Sequence, residues 1–367
     1  MKSQPDRADI LRRGRRLDFS GPGRGQVARD TRRGTRSSAV VCQALLFGCL
    51  VVISVGCNEP AVPTISDYGS GYSDPLQAQA FDILRDGLAD ADPRVRVHAI
   101  EAVVATHQIR LMPTVQLLLA DESMPVRFGA AVAMGDLKYS ISRTSVSRAL
   151  RDPDHNVVVA ASYAMGKLGD TEYYEVVRKA LLSDNQAVRA NAAFLLGKTG
   201  DTRAVELLKQ AQRDRNSDGK VRLLTLEARA ELGDTTVLNK LWAMVYGYAE
   251  DRMIGVRAMG ALGGAKVREI LATKLDDDIL EVRLAVAEQL GKLGDSSGEP
   301  EVLDVFEKDL RAGLEDGALE RVNVLTALAI GRICTPALTK HLPGLMKNRS
   351  KSVRIAAAKA VFLCAAR

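Results

Sequence analysis

The 367-residue sequence predicts an all-α fold built from a repeated pair of helices. A Val-Arg or Val-Val dipeptide recurs at three successive intervals of 31 residues and continues less regularly after them, and a period of this length indicates a stacked repeat. Its first four occurrences start at Val95, Val126, Val157 and Val188. A glycine follows nine residues later in five units, at Gly135, Gly166, Gly197, Gly291 and Gly331. Aromatic residues make up only 4% of the chain, a composition typical of closely packed helices.

The fourth unit shows how the sequence of one repeat predicts two helices joined by a turn. In its first half, residues 173–182, helical spacing places Val176, Val177, Ala180 and Leu181 on one face. A Ser-Asp-Asn turn follows, in which Asp184 or Asn185 can cap the next helix.

The second half, residues 186–196, directs an apolar face inward, and Gly200 then closes the unit where a positive φ favours glycine. The residues predicted to face inward are Val188, Ala192, Leu195 and Leu196.

The unit resembles the HEAT repeat, particularly its short bacterial form that is also seen in phycobilin lyases. Residues 92–96 (DPRVR) match its opening, and residues 282–295 (VRLAVAEQLGKLGD) match its second helix. The resemblance covers about residues 75–367. It implies a right-handed α-solenoid of about nine helix pairs, with first helices on the convex side and second helices on the concave side.

Three regions depart from the repeat. Residues 241–252 contain the only Trp and two Tyr, so Trp242, Tyr246 and Tyr248 are candidate residues for binding a partner; the alternative is that they fill an irregular core. An insertion lengthens the eighth unit over residues 296–319. The last helix, residues 352–365, is unusually apolar for a terminal repeat. It is therefore expected either to fold back or to meet a partner; self-association with a second copy of the chain is one form of the second alternative.

The N-terminal region predicts export and membrane attachment. Residues 1–38 hold eleven of the 51 basic and four of the 45 acidic residues, and residues 39–56 are uncharged and apolar. This pattern is typical of a signal segment. Val55, Gly56 and Cys57 resemble a bacterial lipobox, which implies lipidation of Cys57, although Ser54 stands where leucine is usual. An uncleaved anchor helix is the alternative.

Residues 57–74 are rich in Pro, Gly and Ser and predict a flexible tether, so the repeat domain is expected over residues 75–367. From Cys57 onward the chain carries a formal net charge of −1, because the entire basic excess lies in the leader. This balance argues against a nucleic-acid partner.

Other polar motifs are weaker. The segment from Asp214 to Gly219 places Asp214, Asn216 and Asp218 as in the start of a calcium loop, but Thr225 stands where an acidic ligand belongs. An ordinary inter-helix turn is the favoured interpretation. Cys334 and Cys364 show no metal-ligand spacing and are expected to be buried thiols.

Arginines that follow the repeat valines are expected to stack along the array. They are Arg96, Arg127, Arg189, Arg222, Arg257, Arg283 and Arg354. We expect a ladder of pairs with turn acids such as Asp92, Asp121, Asp184 and Asp218; an anion-binding stripe is the alternative.

These observations predict a membrane-tethered, non-enzymatic scaffold for proteins in the bacterial cell envelope, without a cofactor. The alternatives are an enzyme or enzyme subunit akin to bilin lyases, which rests on the resemblance alone, and a nucleic-acid-binding solenoid.

Overall fold

The computed structural model describes residues 71–367, which belong to one compact unit of the chain. The predicted signal segment, Cys57 and the tether up to residue 70 lie outside the described residues. Between residues 71 and 367 the secondary structure is helical throughout, with no strand. No helix in this range is both long and apolar enough to cross a membrane.

The helices form nine pairs, as the repeat predicts. The first members of the pairs make an outer layer: α1 (Pro75–Leu88), α3 (Met112–Leu117), α5 (Arg143–Ala149), α7 (Tyr174–Ala180), α9 (Ala204–Arg213), α11 (Leu238–Val245), α13 (Ala265–Ala272), α15 (Glu299–Glu307) and the short helices α17 (Pro336–Thr339) and α18 (Leu342–Leu345).

The second members are longer and make an inner layer. They are α2 (Pro93–Ala105), α4 (Met124–Asp136), α6 (His155–Lys167), α8 (Gln186–Thr199), α10 (Gly219–Glu231), α12 (Ala249–Leu262), α14 (Leu280–Lys292), α16 (Asp316–Ile333) and α19 (Lys351–Ala365). The insertion of the eighth unit lies in α15, the following turns and the first turn of α16.

The fourth unit agrees with its sequence in all but one side chain. Asn185 caps α8 by accepting hydrogen bonds from the backbone N–H groups of Ala187 and Val188. Gly200 ends the same helix with φ +76°. The four residues predicted to face inward from α8 are buried. Val176 is the exception, because it is 40% exposed. Helix α7 spans only two turns, and its buried side is formed by Val177 and Leu181.

Repeated glycines let consecutive inner helices touch. A Cβ atom on Gly197 would lie 2.8 Å from Ala228 Cα, and one on Gly135 would lie 2.9 Å from Ala164 Cα. The same relation holds between Gly331 and Ala360, at 2.7 Å. Because each helix meets the backbone of the next, these positions exclude any side chain.

The expected arginine ladder forms at only three of its seven arginines. Arg257 and Arg283 pair with glutamates instead, and Arg222 and Arg354 donate to backbone carbonyls. Arg96, Arg127 and Arg189 each pair with the aspartate that opens the turn of the next unit. The pairs are Arg96–Asp121 at 2.7 Å, Arg127–Asp152 at 2.8 Å and Arg189–Asp214 at 2.5 Å.

Of the four acids expected in this role, only Asp121 has it. Asp92 pairs with Arg94 instead, and Asp218 caps α10. The correct acid lies 25 residues after its arginine, in the following repeat, so pairing requires knowledge of how units stack.

The inner layer closes into a ring, which the sequence did not predict. Consecutive inner helices pack together from α2 to α19, and α19 then packs against α1 and α2. Across this seam the rings of Tyr72 and Phe362 lie 5.3 Å apart, and Lys351 Nζ lies 2.7 Å from Asp90 Oδ2. The predicted open concave face is therefore a lumen.

Closure also explains the apolar last helix. Its apolar residues, among them Val353, Ile355 and Phe362, are buried within the chain. The helix thus folds back, and the exposed face that suggested self-association through it is covered. Tyr72, within the segment predicted to be a tether, is half-buried and belongs to the fold.

Cys334 and Cys364 form a disulfide with a Cα–Cα distance of 5.2 Å, so the prediction of two free thiols is wrong. Cys334 ends α16, and Cys364 lies in the last turn of α19. Their separation of 30 residues is close to one repeat. Residues one repeat apart lie side by side on neighbouring helices. The spacing of the two cysteines in the sequence therefore could have predicted this disulfide.

Candidate functional site

The large exposed apolar side chains of residues 71–367 lie on the outer helices and their flanking turns. They are Ile109, Leu117, Ile141, Val176, Leu182, Leu207, Trp242, Tyr246 and Tyr248. Single exposed apolar residues are common on protein surfaces. What matters is therefore where several of them meet.

One such place is the outer helix α11. Leu241 and Val245 on one face of this helix are fully buried. On the other face, Trp242 and Tyr246 follow each other at i and i+4, and their ring centroids lie 4.9 Å apart. They are 50% and 45% exposed. We call Trp242, Tyr246 and Tyr248 the aromatic patch.

The neighbouring unit holds the patch in place. The Tyr246 hydroxyl lies 2.5 Å from Thr273 Oγ1, and the Lys274 ammonium lies 4.9 Å from the centre of the Tyr246 ring. Tyr248, just before α12, is 84% exposed. Two oriented rings, one cation and one free aromatic side chain make a surface suited to another protein.

The structure thus places the three predicted binding residues on the surface; they do not fill the core. Sequence reasoning missed a second apolar site between α7 and α9, where Leu182 and Leu207 line a groove of about 310 Å³. Leu182 is 79% exposed. It follows the buried Leu181 directly, and helical spacing alone could have flagged it.

The calcium-loop candidate is an Asx turn. Asp214 accepts hydrogen bonds from Arg189 and from the Asn216 backbone N–H, and Asp218 accepts one from the Val221 backbone N–H. The two carboxylates are therefore hydrogen-bonded to different parts of the fold, Asp214 to α8 and to its own turn and Asp218 to the start of α10. Within residues 71–367, no three His, Cys, Asp or Glu side chains are arranged to hold a metal.

The lumen contains a second kind of site, a pocket of about 880 Å³ that we call the lumen pocket. Five inner helices line it: α2, α12, α14, α16 and α19. Its walls are largely aliphatic, and its residues include Met253, Ile279, Val282, Val324, Leu325, Leu328, Ile355 and Ala356. Polar residues at its rim include His98, Glu320 and Arg321.

Charged side chains recur at the carboxyl ends of the inner helices. They stand ten residues after the repeat valine: Asp136, Lys167, Lys198, Glu231, Lys292 and Arg332. Lys198 Nζ lies 3.1 Å from Asp136 Oδ2, although α6 separates their helices in the ring. Cations are favourable at helix carboxyl ends because they interact with the helix dipole. The four basic residues among these six are explained by that interaction without a bound ligand.

Burial shifts the pKa of several lumen groups. Desolvation raises the pKa of Glu227 and of Glu231 on α10. It also lowers the pKa of Lys359, a residue of the lumen pocket.

Comparison with protein families identifies the repeat. Residues 111–188 and 175–252 match the family model for HEAT repeats. The chain contains HEAT repeats. The second HEAT match includes the aromatic patch, so Trp242, Tyr246 and Tyr248 lie on a HEAT outer helix and its following turn. Among curated proteins, none matches the sequence.

Solved structures match parts of the chain at low sequence identity. Human deoxyhypusine hydroxylase in complex with glycerol is 18% identical, with 73% of this chain and 99% of that chain covered and a TM-score of 0.36. The complex of CpcE and CpcF of phycocyanin lyase from Nostoc sp. PCC7120 is 19% identical, with 68% and 94% covered and a TM-score of 0.39. Importin beta is 14% identical, with 82% and 50% covered and a TM-score of 0.33.

Proposed function

We propose that this HEAT-repeat protein is a non-enzymatic scaffold that binds protein partners in the bacterial cell envelope and is held at a membrane through lipid on Cys57. The observation that carries the binding role is the aromatic patch. Aromatic side chains dominate binding hot spots because they bury a large area with few rotatable bonds.

The ring closure supports an outward-facing role. An open solenoid offers its concave face to an extended partner, whereas here that face encloses a lumen. A folded protein partner therefore meets the outer helices. Among these, α11 presents two neighbouring aromatic rings, tilted by 36° to each other, that are about half exposed.

The disulfide supports export, independently of the leader. Disulfides persist in oxidising compartments and are rare in the cytosol of most organisms. Cys334–Cys364 is consistent with a chain that folds outside the cytoplasm. Lipidation of Cys57 would also place the chain outside the cytoplasm.

The partner-binding proposal is tested by photo-crosslinking in the native host. A photoreactive phenylalanine replaces Tyr248, and cross-linked products are identified by mass spectrometry. We expect one dominant protein product, reduced about tenfold or more when Trp242 and Tyr246 are both changed to alanine. Leu117→Ala, on the exposed surface of α3, is the matched control and should leave the yield unchanged. Equal yields in all variants would exclude the aromatic patch as the docking surface.

The tether proposal is tested by the intact mass of the N-terminal peptide from the membrane fraction. We expect a diacylglyceryl mass on Cys57, with residues 1–56 absent. Cys57→Ser should release the protein from membranes. An unmodified Cys57 in an uncut, membrane-bound chain would indicate an anchor helix instead.

A further inference from the structure

The outer helices α3 and α5, with the turns that flank them, form a surface without acidic residues. No Asp or Glu occurs in residues 106–120 or in residues 137–151. The same two segments hold three of the large exposed apolar side chains. Ile109, Leu117 and Ile141 are 49%, 69% and 75% exposed. We call the exposed surface of these two segments the α3–α5 face.

Basic side chains alternate with the apolar ones across this face. A step of 31 residues, one repeat, places Arg110 at the position equivalent to Ile141, and Leu117 at the position equivalent to Arg148. Equivalent residues of successive repeats lie side by side. All four side chains are exposed. The face is therefore both apolar and positively charged.

Two of its arginines have no carboxylate partner. Among residues 71–367, the exposed Arg148 and Arg151 form no ion pair. Arg143 differs from them, because it pairs with Asp170 of the next unit. The positive charge at the carboxyl end of α5 is therefore available to an anionic partner.

The acidic residues nearest in sequence lie in the turns that follow α3 and α5. Asp121 and Asp152 pair with arginines of the ladder, and Asp154 caps α6. Glu122 is exposed, and its carboxylate lies 4.0 Å from Arg96. These acids thus have their own partners and leave the charge of the α3–α5 face largely unopposed.

The described part of the chain begins beside this face. Tyr72 donates a hydrogen bond of 2.6 Å to Gln108 Oε1, and the Arg110 guanidinium lies 5.5 Å from the centre of the Tyr72 ring. A Cβ atom on Gly71 would touch the same guanidinium. Cys57 stands 14 residues before Gly71, and a flexible linker of that length spans about 20 Å in root-mean-square distance. A lipid on Cys57 would therefore keep this face within reach of a bilayer.

We infer that the α3–α5 face docks onto an anionic lipid bilayer. Leu117 and Ile141 enter its interfacial region, and their burial acts together with electrostatic attraction. Arg148 and Arg151 pair with the phosphates of anionic lipids. The inference rests on the proposed attachment through Cys57 and adds the side of the ring that meets the membrane. The aromatic patch lies three units further along the ring, so the two surfaces do not compete.

The experiment moves the single Trp of the chain onto this face. The protein, purified from its native host in a nonionic detergent, is reconstituted on vesicles of phosphatidylcholine with brominated acyl chains, with or without phosphatidylglycerol. Bromine quenches an indole that enters the acyl region. Leu117→Trp with Trp242→Phe is the reporter chain, and the wild type, with Trp242, is the matched control. Flotation of the vesicles measures attachment separately.

We expect quenching of the reporter chain on vesicles with phosphatidylglycerol. Quenching should be lost on neutral vesicles and in high salt, which screens the charges. The wild-type Trp242 should stay unquenched on both kinds of vesicle. Both chains should float equally with neutral vesicles, because that attachment depends on Cys57.

Two substitutions in the reporter chain test the charge. Arg148→Gln with Arg151→Gln should lower the equilibrium constant for docking about tenfold or more, while flotation persists. Arg213→Gln with Arg215→Gln is the matched control, because it removes two exposed arginines near the end of α9. It should keep the quenching. Ile141→Asp, at a position that is 75% exposed, tests the apolar contribution and should abolish quenching with helix content unchanged.

Flotation without quenching of the reporter chain would overturn the docking inference and leave the tether intact. Equal quenching on neutral and anionic vesicles, equal quenching of Trp242, or quenching that survives loss of both arginines would also overturn it. A chain that does not float with neutral vesicles would contradict the tether through Cys57. Quenching on anionic vesicles would then still support the α3–α5 face, and its absence would overturn it.

Discussion

At the scale of single residues, the repeated glycines are set by close contact between backbones. Gly197 lies in the last turns of α8, where its φ is ordinary, so any residue could adopt the backbone conformation. What excludes a side chain is Ala228 of the next inner helix, whose Cα would lie 2.8 Å from an added Cβ atom. The motif therefore reports packing between units.

Gly197→Ala should destabilise the protein by about 1–3 kcal/mol, because overpacking outweighs the better helix propensity of alanine. Gly129→Ala is the matched control, since an added Cβ there would lie 3.8 Å from Ile100 Cδ1. It should be neutral or stabilising by up to about 1 kcal/mol. Urea unfolding measures both; equal effects would contradict the packing argument.

Glu227 supplies a pH-dependent prediction. Desolvation raises its pKa, so the folded state holds the proton over a range where the unfolded state has lost it. The free energy of unfolding therefore falls as pH rises above the ordinary glutamate pKa. Glu227→Gln should stabilise the protein at pH 7, and the gain should vanish in acid below that value.

The measurement is urea unfolding of the wild type and of Glu227→Gln across this pH range. The exposed Glu172→Gln is the control for the substitution itself and should change stability by less than about 0.5 kcal/mol. A gain that stays constant with pH would mean that the carboxylate charge is not its cause.

At the scale of helices, each inner helix is specified by local signals and stabilised by its neighbours. Asn185 caps α8, Gly200 ends it, and Val188 begins its buried face. A single 31-residue unit buries little area alone, so its stability comes from the units on both sides. A defect in one inner helix should therefore spread to the adjacent units.

Val188→Asp should destabilise the array by at least about 3 kcal/mol, because it places an unpaired charge at a site that is 3% exposed. Ala187→Asp is the matched control one residue away, where the position is exposed and near the amino end of α8. It should change stability by less than about 0.5 kcal/mol. Thermal unfolding followed by circular dichroism compares them.

The disulfide links two neighbouring inner helices. Closing a loop of about 30 residues is expected to stabilise the folded state by about 3–4 kcal/mol, mostly through the unfolded chain. A reductant should lower the unfolding midpoint of the wild type accordingly. Cys334→Ala with Cys364→Ala should unfold at that lower midpoint and respond no further to reductant. A wild type that is insensitive to reductant would contradict this contribution.

At the scale of the whole repeat domain, closure adds an interface that an open array lacks. Helix α19 meets α16 on one side and α1 with α2 on the other. The seam combines the Tyr72–Phe362 contact with the Lys351–Asp90 ion pair. The other interfaces join units that are consecutive in sequence, so they do not depend on the seam.

Phe362→Asp should therefore open the ring without unfolding it. We expect a larger radius of gyration by small-angle X-ray scattering, with helix content unchanged by circular dichroism. Leu182→Asp, on the exposed outer surface, controls for the introduced charge and should leave the radius unchanged. An unchanged radius in Phe362→Asp, or loss of helix content, would contradict an independent seam.

The sequence by itself determined the helix pair, its period, its number of copies and most of the buried positions, because these depend on residues within one unit. Capping at Asn185 and the positive φ of Gly200 are of this local kind. For Trp242 and Tyr246 the sequence predicted only that they share one helix face, because helical spacing sets that. Whether another element covers this face could not be predicted from the spacing.

Only the tertiary structure decided which residues of different units meet. The Arg–Asp pairs and the Cys334–Cys364 disulfide join separate helices. Closure of the ring depends on a small rotation between successive units, accumulated over nine of them. The sequence of a single repeat does not reveal this total rotation. The lumen could therefore be recognised only from the contact between the last helix, α19, and the first helices, α1 and α2.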